Sequence, residues 1–417
     1  MTMRVADCVE AVATETSMLS VVIPAYNEED GIAEIVERVL AVRPPLEAMG
    51  VGLELLVVDD GSADRTSEIV RSYPEVRLLR HSPNRGYGAA LKTGFCAARG
   101  DLLGFLDADG TYPPESFPDL CTEILEKGAD VVVGSRRSGA ASGMPAVRRV
   151  GNFVWSNLVS LLSSHRVIDP ASGMRVFRRE ALARLYPLPD GLNFTPVMST
   201  RTVHEGLTLV EIPMRYEERQ GRSKLHVVED GMRFLRTIIW TAMLYNPARI
   251  LGGVGFAMFA VGTLIALLIV GMRLAGTTSL GPWGVTGTFA AVVLGVTGFD
   301  LFALGATFNY AVALFHGDGI IQRGLFGRPI FDPPLDRHFW WMGFLSFTGG
   351  LILGGVSLGL GLNGWPVERL WLYLLAGTML TLMGVQLVLF WIIMRVLEEL
   401  SGREAAVRAD LEVEGDG

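Results

Sequence analysis

Charge is scarce in this sequence, and one half has almost none. Asp, Glu, Lys and Arg make up 19% of the 417 residues, against about 25% in an ordinary soluble chain. Nearly all of that charge lies before Arg249, in one central loop and in the C-terminal tail. The shortage argues against a wholly water-soluble protein. Cysteine is scarce too. Cys8, Cys96 and Cys121 lie far apart, and no pair has zinc-ligand or redox spacing. They are expected to be reduced packing residues. No basic stripe with interleaved aromatics is present, so nucleic acid is not an expected partner. Residues 1–18 have no apolar core of the kind a signal peptide needs, and are expected to form a loose extension. The formal charge of −8 says little, because part of it sits in the tail after Arg395.

What is present in the first half is a repeating alternation. Residues 19–25 (LSVVIPA) form a β-branched apolar run stopped by Pro24, as in a buried strand. Helical spacing follows at Ile32, Ile35, Val36, Val39 and Leu40. Further strands are expected at 53–60, 75–81, 101–109 and 129–136, with helices near 65–72, 88–99 and 114–127 between them. This is an α/β pattern and predicts a mainly parallel sheet covered on both faces. Ligands of such sheets bind beyond the carboxyl ends of the strands. Asp59, Asp60, Asp107, Asp109 and Arg136 all fall there. After Arg136 the pattern loosens into a helix at 148–163, a turn and short strand in DPASGMRVFRRE (169–180), and a strand in LTLVEIP (207–213).

From residue 250 the rules change. Residues 250–272 carry no charge for a length that spans roughly 35 Å as a helix. Three more spans are expected at about 284–314, 339–363 and 370–394. Arg323, Arg328 and Arg337 lie in the central loop, and Arg233, Arg236 and Arg249 before the first span. The positive-inside rule places these on the cytoplasmic side. The expected organisation is a cytoplasmic domain over 19–228, an interfacial amphipathic helix over 229–246, a membrane domain over 247–395 and a cytoplasmic tail over 396–417. Asp300 falls inside the second span, where a charge costs on the order of 3 kcal/mol on insertion scales. Asn309 and Gln386 are candidate hydrogen-bond partners for it.

The chemistry begins with Asp107 and Asp109 in GFLDADGTYPPE (104–115). Alternate residues at a strand end point the same way, so the two carboxylates can converge. Converged carboxylates repel unless a cation sits between them. Mg²⁺ or Mn²⁺ suits all-oxygen ligation that includes diphosphate oxygens. A solvated Asp turn is the simpler alternative for this stretch alone. VIPAYNEE (22–29) and VVDDGSADRT (57–66) also end buried strands, and NRGYGAALKTGF (84–95) is a Gly-rich helix entry suited to close approach by a ligand.

Taken together and in this order, these stretches resemble the family 2 glycosyltransferases of the GT-A fold. The closer resemblance is to the polyprenyl-phosphate sugar transferases of the dolichyl-phosphate mannose synthase type. It extends through DVVVGSR (130–136), DPASGMRVFRRE and ERQGRSKL (218–225). The resemblance implies an integral membrane enzyme with a Rossmann-like catalytic domain, a nucleotide-sugar donor and a polyprenyl phosphate acceptor. Pro24, Ala25, Tyr26, Glu28, Asp60 and Ala108 match donor-contacting positions. Asp107 and Asp109 match the metal and diphosphate pair. Arg136, Arg148, Ser172, Arg175 and Ser223 match acceptor-phosphate positions, Asp169 belongs to the same acceptor-loop motif, and Asp107, Asp109, Arg136 and Asp169 are the expected catalytic residues. Arg219 and Lys224 match a mobile loop that closes on the phosphates. Relatives often carry Gln two residues beyond the second metal aspartate; here it is Thr111, a weaker ligand. The loop at 219–224 is also one residue shorter than in some relatives.

A polyprenyl phosphate is ionised at neutral pH and needs no general base. The expectation is direct displacement with inversion, held by arginines that grip phosphate. A processive polysaccharide synthase is the enzymatic alternative, but the Gln-x-x-Arg-Trp motif it calls for is absent. A degenerate domain serving a lipid-linked-sugar module is the non-catalytic one. The Gly-rich stretch GGLILGGVSLGLG (349–361) favours close helix packing, and a homo-oligomer is expected.

Overall fold

The computed structural model describes residues 17–136, 146–163, 166–215, 227–277, 281–315 and 335–413. The chain divides into two compact units, residues 1–242 and 243–417.

The first unit is built on a seven-stranded sheet in the order β3-β2-β1-β4-β6-β5-β7. Its strands are β1 (Met18–Ala25), β2 (Gly52–Asp59), β3 (Val76–Arg80), β4 (Leu102–Leu106), β5 (Val131–Ser135), β6 (Met174–Arg178) and β7 (Leu209–Pro213). The helices of this unit are α1 (Ile32–Leu40), α2 (Arg43–Ala48), α3 (Thr66–Arg71), α4 (Tyr87–Ala97), α5 (Phe117–Leu125), α6 (Ala146–Ser163), α7 (Ala181–Leu185), α8 (Phe194–His204) and most of α9 (Val227–Tyr245).

Burial on both faces explains why the central strands read as unbroken apolar runs. Along β1 and β2, successive side chains enter opposite layers. Val21, Ile23, Leu55 and Val57 pack with Ile35, Val36, Phe117 and Ile124 in one layer. Val22, Leu56 and Val58 pack with Leu91, Phe95, Phe105, Phe177 and Phe194 in the other. In that second layer Phe95 stands edge-on to Phe177 at 5.2 Å between centroids, and Phe194 edge-on to Phe105 at 6.1 Å.

Five strands around the site run parallel, as the alternation predicts: β1 pairs in parallel with β2 and β4, and β5 with β7. β6 is the reversed strand, antiparallel to both β4 and β5. Leu106 at the carboxyl end of β4 therefore faces Met174 at the start of β6. The reversal brings the 169–173 loop to the same sheet edge as the aspartates after β2 and β4. Sequence spacing does not reveal it, because a short buried strand reads the same in either direction. One further expectation changes. Cys96 is disulfide-bonded, while Cys121 is free and buried. The expectation of three reduced thiols does not hold.

Among the described residues, the second unit has four helices long and apolar enough to cross a membrane, over Ala248–Leu274, Pro282–Val312, Phe339–Leu362 and Leu370–Ser401. They belong to α10 (Gly253–Leu274), α11 (Pro282–Phe315), α12 (Phe339–Leu362) and α13 (Val367–Val413). A π-type turn at Ala248–Gly252 precedes α10. Glycines let the helices touch backbone to backbone. A Cβ on Gly262 would lie 2.7 Å from the Gly295 amide nitrogen, and one on Gly377 would lie 3.0 Å from the Gly350 carbonyl. Such contacts join α10 to α11 and α12 to α13 as two helical hairpins. α13 continues without a break to Val413, so most of the expected tail continues the last helix.

Candidate active site

The loops that follow β1 and β2 are stitched together before any ligand is considered. Asn27, at a left-handed φ of 51°, accepts a hydrogen bond from the Ala63 amide at 2.8 Å and donates its own amide to Ser62 Oγ at 2.9 Å. The Glu28 amide donates to Thr66 Oγ1 at 2.9 Å. Pro24 and Ala25 are buried at the end of β1, while Tyr26 is 40% exposed. Tyr26 is thus the donor-matching side chain of this loop that stands open to solvent, with Glu28 half-buried beside it.

Asp59 is fully buried and accepts from the Ser62 amide and the Ser67 hydroxyl. Asp60 is also buried. Its two oxygens accept from the Arg85 amide at 2.9 Å and the Gly86 amide at 2.8 Å, and His81 Nδ1 lies 2.6 Å away. Asp60 therefore shapes the entry to α4. That entry differs from the sequence expectation. Gly86 has φ 101°, and a Cβ on Gly88 would overlap the Pro189 carbonyl. The amides of Gly88 and Ala89 both donate to the Asp190 carbonyl, at 2.7 and 3.1 Å. The glycines admit another stretch of this chain, and the helix-start amides expected to meet a ligand are already bonded to it.

Asp107 and Asp109 follow β4 and are both half-buried, with Ala108 buried between them. The Tyr87 hydroxyl donates to Asp107 Oδ1 at 2.7 Å. Burial first, and then the Asp107 charge, push the Tyr87 phenol well above its ordinary pKa, so it remains a donor. Its ring is held edge-on by Phe194 at 6.4 Å, which links the aromatic core to the carboxylate. On another side, a Cβ on Gly173 would overlap the Asp107 carboxylate, so the 169–173 loop approaches it closely. Thr111 is buried, and its hydroxyl donates to Asp109 Oδ1 at 2.6 Å. In this arrangement Thr111 orients Asp109, a different task from the amide ligand it replaces. Among the described residues no three His, Cys, Asp or Glu side chains gather as a metal cage. Two neighbouring carboxylates still fit Mg²⁺ or Mn²⁺, which commonly take one or two protein carboxylates and complete the shell with phosphate and water.

Arg136, just past β5, is the cationic side. It donates to Asp169 three times: from its amide at 3.0 Å, from Nε at 2.8 Å and from Nη2 at 2.7 Å. Asn152 Nδ2 adds a fourth bond to Asp169 at 2.8 Å. The Arg136 guanidinium lies 5.7 Å from the Tyr112 ring centroid, and the Tyr112 hydroxyl accepts from the Gly173 amide at 2.7 Å. Burial alone would push the Asp169 carboxyl up; the charge and bonds of Arg136 outweigh it and hold it below the usual carboxylate range. Burial opposes the Arg136 charge in turn, and Asp169 more than restores it. The loop bearing Asp169 is fixed from β7, where the Glu211 carboxylate accepts from the Ile168 and Asp169 amides at 2.7 and 2.8 Å.

Asp169, Ser172 and Arg175 are fully enclosed. Ser172 Oγ donates to the Gly134 carbonyl at 2.5 Å. Arg175 donates to the carbonyls of Ser172, Pro170 and Thr195, and burial lowers its pKa to about 10. These three residues, matched to the acceptor site by resemblance, build the loop in this structure and have no exposed surface. Arg148 lies in α6 with its side chain outside the described residues, and Arg219, Ser223 and Lys224 lie outside them altogether. Sequence reasoning missed Tyr87, Tyr112, Asn152 and Glu211. Only Glu211 carried a signal: it is the one acid in the otherwise apolar LTLVEIP strand.

The model of the family described as Glycosyl transferase family 2 matches residues 20–186. The low-salt glycan biosynthesis hexosyltransferase Agl6 of Haloferax volcanii is 31% identical over 69% of this chain and 67% of its own length. The chain belongs to glycosyl transferase family 2. Its sheet, with the reversed strand and the site at the carboxyl edge, is the GT-A fold of that family. The undecaprenyl-phosphate 4-deoxy-4-formamido-L-arabinose transferase of Edwardsiella ictaluri is 30% identical over 72% of this glycosyltransferase and 90% of its own chain. The dolichyl-phosphate hexose transferase of Haloferax volcanii is 31% identical over 53% and 92%. The membrane-type half, residues 247–408, matches a family described as a domain of unknown function (DUF8752).

Proposed function

We propose that this glycosyltransferase moves a single sugar from a nucleotide-diphosphate sugar to a polyprenyl phosphate, with inversion at the anomeric carbon. We place the reaction at the cytoplasmic face of a membrane that the four apolar helices cross. The acceptor class follows the named relatives, which act on undecaprenyl or dolichyl phosphates by their descriptions. The observation that carries the reading is one sheet edge holding two kinds of anion grip. Asp107 and Asp109 stand after β4, and an arginine locked in a buried ion pair stands after β5.

The residues divide the work between two anions. Asp107 and Asp109 would hold Mg²⁺ or Mn²⁺, which, when bound, offsets the charge that builds on a departing nucleoside diphosphate. Tyr87 and Thr111 fix the rotamers of those carboxylates. Asp60 sets the loop above them, and Tyr26 offers an aromatic face to the nucleoside. Arg136 uses Nε and Nη2 on Asp169, while Nη1 makes no hydrogen bond among the described residues. Nη1 is the donor left for the acceptor phosphate. Asp169 is a positioning residue: it is enclosed, its carboxyl is held below the usual range, and four donors occupy it. That fits an ionised acceptor, which has no proton to surrender at neutral pH. Lys224 and Arg219 would close on the phosphates, and Arg148 and Ser223 would add to the acceptor grip.

The test is transfer by purified full-length protein, with polyprenyl phosphate, Mg²⁺ or Mn²⁺ and a panel of labelled nucleotide sugars that includes GDP-mannose and UDP-glucose. One donor is expected to give a lipid-linked monosaccharide of inverted configuration. Failure of every donor to label the lipid overturns the proposal, and a retained configuration overturns the displacement mechanism.

A further inference from the structure

Among the described residues of the membrane-type unit, a half-buried acid on one apolar helix meets a half-buried amide on another. Asp300 on α11 and Gln386 on α13 meet through a 2.6 Å hydrogen bond from Gln386 Nε2 to Asp300 Oδ2. Their neighbours along the two helices, Phe299, Ala303, Leu387 and Phe390, belong to one apolar cluster. The other oxygen of each group, Asp300 Oδ1 and Gln386 Oε1, is buried and has no hydrogen-bond partner. A carboxylate only accepts, and an amide oxygen only accepts. With the carboxylate ionised, two acceptors are left in an apolar place with no donor for either.

One proton on Oδ1 resolves both atoms together. It makes Oδ1 a donor and lets it bond to Oε1, beside the bond already running from Nε2 to Oδ2. It also removes a full charge from an apolar span, where charge is costly. We infer that Asp300 is carried as a carboxylic acid and forms a two-point acid–amide clasp with Gln386. The clasp has a defined place in the unit. Glycine contacts seal α10 to α11 and α12 to α13, whereas Asp300 and Gln386 reach across from one hairpin to the other. It is a polar bond between two hairpins whose apolar cluster at this level includes Phe299, Ala303, Leu387 and Phe390. Nothing in it depends on the sugar, the lipid or the site on the first unit.

The experiment uses full-length protein in nanodiscs. Infrared difference spectra between wild type and Asp300→Asn at neutral pH are expected to show the carbonyl band of a protonated carboxylic acid. The band should shift in D₂O and be absent from the variant. Asparagine can donate to Oε1 and accept from Nε2, so Asp300→Asn should melt like wild type. Asp300→Leu and Gln386→Leu should each melt lower, and the double variant no lower than the worse single one, because the pair is lost once. Absence of the acid band overturns the inference. So does a wild-type melting point that rises with Na⁺, K⁺ or Mg²⁺ and loses that response in Asp300→Asn, since a cation would then be filling the two oxygens. If the leucine variants do not fold, the spectrum of Asp300→Asn still decides.

Discussion

Replacing Asp169 by Asn keeps the side chain's shape and removes its charge. Asp169 is fully buried and receives three bonds from Arg136 and one from Asn152. The new amide would turn an NH₂ group toward donors and leave the Arg136 guanidinium without its counter-charge. Breaking a buried pair in this way costs about 3–5 kcal/mol. Arg136 keeps 16% side-chain exposure, so the lower end of that range applies, about 3 kcal/mol. A domain of this size melts roughly 2–4 °C lower per kcal/mol, which predicts a fall of roughly 6–12 °C. The catalytic rate should drop as well, because Nη1 is no longer aimed. Arg136→Lys should behave alike, since a lysine cannot make the two-point grip. The pH dependence has a defined sign. A carboxyl whose folded pKa is depressed stabilises the fold above its ordinary pKa, and that contribution is lost as pH falls through the folded value. Wild type should therefore lose stability on the acid side, and Asp169→Asn should lose less there. The assay is thermal melting across pH beside lipid-linked product formation. An unchanged melting point with full activity would refute the clamp. An unchanged melting point with no activity, and loss of the acid limb of the rate profile, would make Asp169 a base instead.

Thr111→Val removes a hydrogen bond to an ionised carboxylate, worth about 1.5–3 kcal/mol. If Thr111 orients Asp109, transfer should fall roughly 10- to 100-fold, and the melting point should fall by roughly 3–12 °C. Tyr87→Phe should lower activity by the same reasoning at Asp107, with the metal concentration for half-maximal rate rising; an unchanged metal response would remove Tyr87 from the site. Asp107→Asn and Asp109→Asn should abolish lipid labelling without unfolding the protein, as circular dichroism would show. Gly88→Ala should destabilise by about 1–3 kcal/mol, the usual cost of overpacking, because its methyl group meets the Pro189 carbonyl; a neutral effect on melting would show that the 189–190 loop moves aside.

The sheet edge was legible because strand ends are written in local chemistry. β1, β2, β4 and β5 are apolar runs that stop at Pro24, Asp59, Leu106 and Arg136, so the carboxyl ends could be located without coordinates. The family likeness then named residues that do meet there, above all Asp107, Asp109, Arg136 and Asp169. What stayed hidden were tasks set by long-range partners. Nothing near Thr111 in sequence says whether its hydroxyl faces a cation or Asp109. Nothing near Arg175 says that its guanidinium will be spent on the carbonyls of Pro170, Ser172 and Thr195.

The glycines of NRGYG show the physical reason for this limit. A glycine signals that something approaches the backbone closely, but it does not say what. A phosphate and a neighbouring carbonyl make the same steric demand, and both leave the same residue in the sequence. They differ in electrostatics. Amides that meet a phosphate must be left unbonded by the protein, whereas those of Gly88 and Ala89 already donate to the Asp190 carbonyl. The Gly-rich entry therefore braces the loop beside Tyr87, and its conformation reaches Asp107 through that tyrosine. In the function proposed above, anion binding at this edge falls to side chains, the carboxylate pair through a bound cation and Arg136 directly. On this argument Asp190→Ala, which keeps the carbonyl, should leave donor affinity nearly intact. Shortening the 189–190 loop should instead lower the rate by displacing Tyr87, and a rise in donor affinity on freeing those amides would count against it.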